Sequence, residues 1–160
     1  MVDVSLRRFV AGDLNWLAAR HQDLYSREEG FDDSYGPVIA GVLQNFCGSH
    51  DPQCERGWIA MKGPLRIGSI FCLKESEGIA RLRMFLLTPE ARGQGLGKRL
   101  LRESMGFARQ ARYREMVLWT HESQRGTGAL YRAFGWQMVE SRPVFSFGVN
   151  LNEQTWRVML

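Results

Sequence analysis

Between Arg92 and Lys98 the chain reads Arg-Gly-Gln-Gly-Leu-Gly-Lys, with glycines at 93, 95 and 97 and cations at both ends. Glycine has no Cβ, so such a segment can turn sharply and bring its backbone close to a ligand. If it opens a helix, successive N–H groups converge where the helix dipole is positive, an arrangement suited to phosphate. Arg92, Lys98 and Arg99 can add charge. Spacing excludes two other phosphate motifs. In a Walker loop, Arg92 would stand at the first glycine and Arg99 at the hydroxyl residue. In a dinucleotide fingerprint, Lys98 would occupy the place of the last glycine. What remains is R-x-x-G-x-G at Arg92, Gly95 and Gly97.

Other reactive side chains are weaker signals. Cys47, His50 and Cys54 read as C-x2-H-x3-C, but a structural zinc site wants four ligands and no paired fourth lies nearby, so no metal is expected. The third cysteine, Cys72, leaves an odd count, which suits reduced thiols. His21 shares the apolar face of a helix and reads as a packed core residue.

These residues must be positioned by surrounding elements, and the chain supplies them. Its 160 residues are 44% hydrophobic and 24% charged, with a formal charge of +4, as expected of one globular domain over 1–160. No apolar run approaches the ~18 residues of a membrane span, and Asp3 and Arg7 spoil a signal peptide. A cytoplasmic location is expected. Val4 to Val10 reads as a strand. Asp13 is placed to cap a helix carrying Leu14, Leu17, Ala18, Leu24 and Tyr25 at the 3.6 period. A polar, acidic loop is expected from Ser26 to Ser34, then a helix opened by Pro37. Strands follow at Trp58–Met61, Ile67–Leu73 and Ile79–Leu87, forming an antiparallel meander. The glycine loop leads into a long helix with Leu96, Leu100, Leu101, Phe107, Ala108 and Ala111 inside. A strand at Met116–Thr120 completes a βαβ unit with a parallel pair. A helix from about Gly126 to Phe134 and strands at Gln137–Ser141 and Thr155–Leu160 close the chain.

With the loop set between a strand ending Leu87-Thr88-Pro89 and a long amphipathic helix, the sequence resembles the GNAT superfamily, the Gcn5-related N-acetyltransferases. Leu130-Tyr131 followed by Phe134-Gly135-Trp136 is similar to that family's L-Y-x-x-x-G-[FY] signature. The element order also agrees over nearly the whole chain. Phe107 to Tyr113, Leu118 to Thr120, Ser146 to Gly148 and Gln154 to Trp156 resemble the acetyltransferase half of bacterial proteins that carry a MarR-type DNA-binding domain in front. These 160 residues are expected to hold no such DNA-binding half, so the resemblance implies no DNA role for them. Where that group often has His-His, this chain has Val144-Phe145.

The resemblance implies an α/β fold of GNAT type: a mixed, mostly antiparallel sheet with a parallel βαβ core and about four flanking helices. It implies acetyl-CoA as cosubstrate and transfer of its acetyl group to a primary amine by direct attack. Phe85, Leu86 and Leu87 would offer backbone groups to the pantetheine arm and the thioester. Arg92, Gly93, Gln94, Gly95, Leu96, Gly97 and Lys98 would hold the pyrophosphate. Tyr131 matches the family's general acid, since a phenol of pKa ~10 can protonate a thiolate whose conjugate acid lies near ~8.5. The family's alternative glutamate bases align with Arg81 and Trp119, neither of which can serve. Glu77, His121, Glu122 or a chain of waters remain open as the base. Gln124 stands where the family often has a cofactor-contacting asparagine.

The acceptor is expected between the first two helices and the far end of the sheet. There Glu28, Glu29, Asp32 and Asp33 either attract a cationic amine or form a solvated loop. Expected partners are acetyl-CoA and an amine, small or on a protein, with a homodimer left open and no nucleic acid or membrane. A non-catalytic acyl-CoA-binding domain and a basic nucleic-acid module are the competing readings.

Overall fold

The computed structural model describes residues 3–123 and 125–160. The elements follow the order β1 (Val4–Arg8), α1 (Leu14–Glu29), α2 (Tyr35–Ser49), β2 (Arg56–Lys62), β3 (Leu65–Ser76), β4 (Ile79–Leu87), α3 (Leu96–Gln110), β5 (Glu115–His121), α4 (Arg125–Ala133), β6 (Gln137–Ser146) and β7 (Val149–Met159). Short 3-10 turns at Ala11–Asp13 and Pro89–Ala91 precede α1 and the glycine loop. Among these elements the strands form one seven-stranded sheet, ordered β1-β2-β3-β4-β5-β7-β6. Every neighbouring pair is antiparallel except β4 and β5. The expected mixed sheet with a βαβ core is therefore the observed architecture. Among the described residues, no helix is long and apolar enough to cross a membrane.

The pleat divides the core in two. Successive strand residues face opposite sides, so Trp58 and Ala60 of β2 join one cluster while Ile59 joins the other. On the first side lie Leu100, Leu101, Met105 and Ala108 of α3, at the spacing that aligns residues on one helix face. On the second, Leu17 of α1 and Ile39, Leu43 and Phe46 of α2 pack on Phe71 and Met84. The sheet is thus covered on both faces.

The feature that shapes the site is a split in this sheet. β4 and β5 pair only through Ile79–Glu115, Ala80–Met116 and Arg81–Val117. Beyond Arg81, β4 keeps β3 on one edge and, among the described residues, has no strand on the other. Its pairing with β3 slips between Ser69–Leu86 and Phe71–Arg83, leaving one extra residue in β4. Met84 takes up the distortion at φ 52°, a left-handed conformation unusual for a long side chain. Its carbonyl accepts a 2.6 Å hydrogen bond from the buried Ser69 hydroxyl.

Several expected boundaries shift for identifiable reasons. α1 continues through Ser26–Glu29, so the acidic stretch begins as a helical turn, and Gly30 at φ 76° ends it. β6 and β7 are longer than expected because Phe147 and Gly148, at φ 53° and 80°, form a tight two-residue connection. Asp13 makes no capping bond to α1. Its buried carboxylate instead accepts from Arg7 Nη1 and Nη2 at 2.8 Å each, Arg66 Nε at 2.9 Å and the Val10 N–H at 2.9 Å.

Burial alone would raise the Asp13 pKa, but the hydrogen bonds from Arg7, Val10 and Arg66 outweigh it and lower the value to about 2. An unfolded Asp titrates near ~3.9. The carboxylate's contribution is therefore present above about pH 4 and lost as pH falls toward 2, a difference of ~2 kcal/mol. Asp13→Asn should lower the melting temperature at pH 7 by roughly 4–8 °C and flatten the acid limb of stability below pH 4. Calorimetric unfolding across pH 2–7 checks both.

Candidate functional site

The split opens onto two cavities. The larger, about 530 Å³, lies beside the glycine loop and is lined by Phe85, Leu86 and Leu87, Arg92 and Gly93, and Thr127 and Leu130 of α4. The smaller, about 250 Å³, lies toward α1 and α2 and is lined by Arg81, Arg83, Trp119, His121 and Tyr131 among others. Tyr25, Phe85 and Thr127 border both. The two spaces thus adjoin where β4 has lost its β5 partner.

The loop's glycines do different jobs. Gly93 and Gly95 sit at φ 76° and 81°, and a Cβ on either would meet nothing within 4 Å. Their backbone is strained for other residues and open on the outside. A Cβ on Gly97 would lie 3.3 Å from Leu130 and 3.5 Å from Leu87, so here the glycine lets α3 pack closely. Gly95 is the N-cap of α3, and the first N–H groups of a helix have no intrahelical acceptor. A concave, electropositive, uncrowded backbone of this kind fits a pyrophosphate.

The side chains around it divide. Lys98 and Gln94 are exposed, while Leu96 is buried in the core. Arg92 makes a two-point ion pair with Glu28 of α1, at 2.7 and 2.8 Å, and its Nη2 reaches the Leu87 carbonyl at 3.4 Å. Arg99 does not face the loop. Its Nη1 donates to the Val4 carbonyl at 2.6 Å, so the charge expected from it at the loop is spent on β1. Gln124 lies outside the described residues.

Tyr131 is 4% exposed and lines the smaller cavity, its ring set among Phe85, Trp136 and Trp156. Burial, with Tyr25 adding to it, raises its pKa, so the phenol keeps its proton. The two positions expected to lack a base face each other: the Arg81 guanidinium stacks 4.4 Å over the Trp119 ring. Of the other candidates, Glu77 is 95% exposed beside Lys74, and Glu122 accepts from Asn152 at 2.7 Å. His121 does line the cavity. Burial lowers its pKa despite Glu29 and Glu153, and its Nδ1 is buried with no hydrogen-bond partner. His21 also reaches this cavity; its Nδ1–H donates to the Leu17 carbonyl at 2.9 Å, and burial lowers its pKa to about 4.

The acidic residues do not gather as an acceptor trap. Glu28 holds Arg92 and Glu29 accepts from Ser123 at 2.6 Å, both at the larger cavity. Asp32 turns back onto the Ser34 N–H and hydroxyl. The C-x2-H-x3-C residues are equally dispersed: Cys47 is exposed, and His50 Nδ1–H donates to the Phe46 carbonyl at 2.8 Å. No metal-binding group of three such side chains occurs among the described residues. Sequence reasoning missed Tyr35, Arg83 and Phe147, which help enclose the smaller cavity. Arg83 alone carried a signal, as a second arginine two residues from Arg81 and hence on the same face of a strand.

Comparison with known proteins adds three findings. A model of the acetyltransferase (GNAT) family matches residues 15–136. The rat (Rattus norvegicus) protein N-acetyltransferase 8F1 is 33% identical over 109 residues, covering 65% of this chain and 48% of that protein. The chain spans about half the length of the curated relatives it matches, or less. Among solved structures, an acetyltransferase from Streptococcus agalactiae superposes with a TM-score of 0.79 at 20% identity, covering 98% of each chain. A GNAT family acetyltransferase from Elizabethkingia anophelis with acetyl-CoA bound gives 0.70 at 16%, again covering 98% of each. At these identities the likeness speaks for the fold.

The depressed His21 pKa carries a testable consequence. The unfolded chain takes up this proton near ~6.5, the folded protein only near 4. Stability should therefore fall as pH drops through that window. In imidazole NMR spectra, His21 should stay neutral and protonated on Nδ1 from pH 8 to 5. Titration of His21 near 6.5 in the folded protein would contradict the geometry.

Proposed function

The chain belongs to the GNAT family of acetyltransferases, and we propose that residues 1–160 act as one acyltransferase domain that acetylates a primary amine by direct attack in a ternary complex. The observation that carries this reading is the split beyond Arg81, which sets the glycine loop's cavity against a second cavity containing Tyr131 and His121. When bound, acetyl-CoA supplies an activated acyl thioester. The backbone from Gly93 through Lys98, including Gln94, Gly95, Leu96 and Gly97, holds its pyrophosphate, with Arg92 at the rim. Phe85, Leu86 and Leu87 offer the main-chain groups of a strand edge that no other strand covers among the described residues.

His121 accepts a proton on Nδ1 from the acceptor nitrogen as the nitrogen bonds to the acyl carbon. Tyr131 donates its hydroxyl proton to the sulfur as the carbon–sulfur bond breaks. Return of the imidazolium proton to the phenolate, through solvent, restores both groups. Both begin in the required state: burial favours a neutral imidazole and a protonated phenol. The segments around Phe107–Tyr113 and Ser146–Gly148 support the finer likeness to MarR-linked acetyltransferases.

Coenzyme A or acetyl-CoA should raise the melting temperature, since a ligand bound only by the folded state stabilises it. Gly95→Ala should sharply reduce that shift, because the added methyl projects from a left-handed backbone into the open side of the loop. Absence of any shift at millimolar cofactor, with calorimetry also silent, would sink the reading. Tyr131→Phe should bind cofactor nearly as well while turnover falls roughly 10²- to 10⁴-fold. Unchanged single-turnover rates would remove Tyr131 as the acid. Cofactor binding without turnover of any amine would favour a non-catalytic binding domain.

A further inference from the structure

The smaller cavity has a chemical character of its own. Three buried side-chain atoms among the described residues lack a hydrogen-bond partner, and two of them, Arg81 Nε and His121 Nδ1, belong to residues lining it. Buried polar atoms in folded proteins are nearly all paired, so two orphans at one cavity point to a polar occupant. Arg83 lies two residues from Arg81 on the same stretch of β4 and lines the same space. Among the described residues, no carboxylate comes within ion-pair distance of Arg83. Glu75 reaches Arg81 at 3.9 Å and acts on Arg83 from beyond ion-pair distance. Glu153, the lining acid, already accepts from Arg142 at 3.3 Å. Both lining histidines are kept neutral by burial. The cavity therefore presents two guanidinium groups, Arg81 with one long contact to Glu75 and Arg83 with no ion-pair partner among the described residues.

The remaining wall is aromatic. Tyr25, Tyr35 and Phe147 form a connected group, with Tyr35 4.8 Å from Tyr25 and 4.9 Å from Phe147 between ring centroids. Trp119, Phe85 and Tyr131 complete it. Its volume of about 250 Å³ is below the ~300–1,000 Å³ typical of drug-sized ligands. That favours a small acceptor over a saccharide antibiotic or a folded protein.

Building on the acetyltransferase reading above, we propose that the acceptor is an α-amino acid with an aromatic or large apolar side chain, its carboxylate held by Arg83 and Arg81 in the smaller cavity. Guanidinium groups suit this carboxylate because their planar N–H pairs match its two oxygens. The aromatic wall takes the side chain. The same positive charges disfavour an ammonium beside them, which helps present the amine in its neutral, nucleophilic form where no carboxylate base stands. The nitrogen forms its new bond to the acyl carbon, loses a proton to His121 and displaces the sulfur, as described above, leaving an N-acetylamino acid and the free thiol.

The test uses matched pairs that differ in the carboxylate: L-phenylalanine against phenethylamine and L-phenylalaninamide, and L-tryptophan against tryptamine. Each is assayed for acetyl transfer and, with saturating coenzyme A, for binding by calorimetry. The acid should exceed its partners in kcat/KM by roughly 10- to 100-fold, the range of a charge-assisted hydrogen-bonded pair. Arg83→Met should collapse that ratio, and Arg83→Lys should restore part of it. An intact coenzyme A thermal shift certifies that each variant is folded. Equal or better use of the decarboxylated amines, or an unchanged ratio in Arg83→Met, would overturn the proposal. Neither binding nor turnover of any pair, with coenzyme A still bound, overturns this substrate class while leaving the acetyltransferase reading in place. Failure to bind coenzyme A removes both.

Discussion

A parallel strand pair that stops after three residues leaves an uncovered row of peptide groups in the middle of a sheet. Buried N–H and C=O groups seldom remain unpaired, and a sheet ordinarily removes the difficulty by continuing its ladder. Here β4 and β5 part beyond Arg81, and the space between them becomes the place where the two cavities meet. The glycine loop lies at the far end of β4, Tyr131 lies across the gap on α4, and the arginines lie on the near side. The placement of the glycine loop, Tyr131 and the two arginines around one gap follows from that parting.

Holding a sheet open requires support from both faces. On one, Leu100, Leu101 and Met105 bury α3 against the strands, and Gly97 allows its first turn to approach Leu87 and Leu130. On the other, Met84 packs with Phe71 and Leu17 while its left-handed backbone makes room for the extra residue in β4. Ser69 secures the distorted carbonyl. Farther off, Asp13 binds Arg7 of β1 to Arg66 of β3, fixing the start of α1 against the sheet. Helix α1 then delivers His21 and Tyr25 to the smaller cavity and Glu28 to the loop.

Contiguous chemistry was legible in the sequence; assembled chemistry was not. The loop could be read because its three glycines and two cations fall within seven successive positions, and because the flanking strand and helix have unambiguous periods. β4 was bounded at Ile79 and Leu87, as observed. Asp13 misled because a local rule, the N-cap, competes with a partner at Arg66 that only the fold brings near. The smaller cavity draws on α1, α2, β4, β5, α4 and the β6–β7 turn, and no spacing along the chain predicts that Phe147 meets Tyr35. The acidic run from Glu28 to Asp33 looked like one feature. Gly30 breaks it into a helix end and a separate turn, sending its carboxylates to unrelated partners.

That division places the last turn of α1 across the larger cavity like a crossbar. Glu28 ties it to Arg92 on one lip, and Glu29 ties it to Ser123 on the other. Both ties are exposed, and the Glu28–Arg92 tie, an exposed ion pair, contributes only ~0–1 kcal/mol and weakens with salt. The crossbar therefore sets the width of the opening without locking it. Ionic strength becomes a physical control on how readily a long, charged molecule passes beneath the helix.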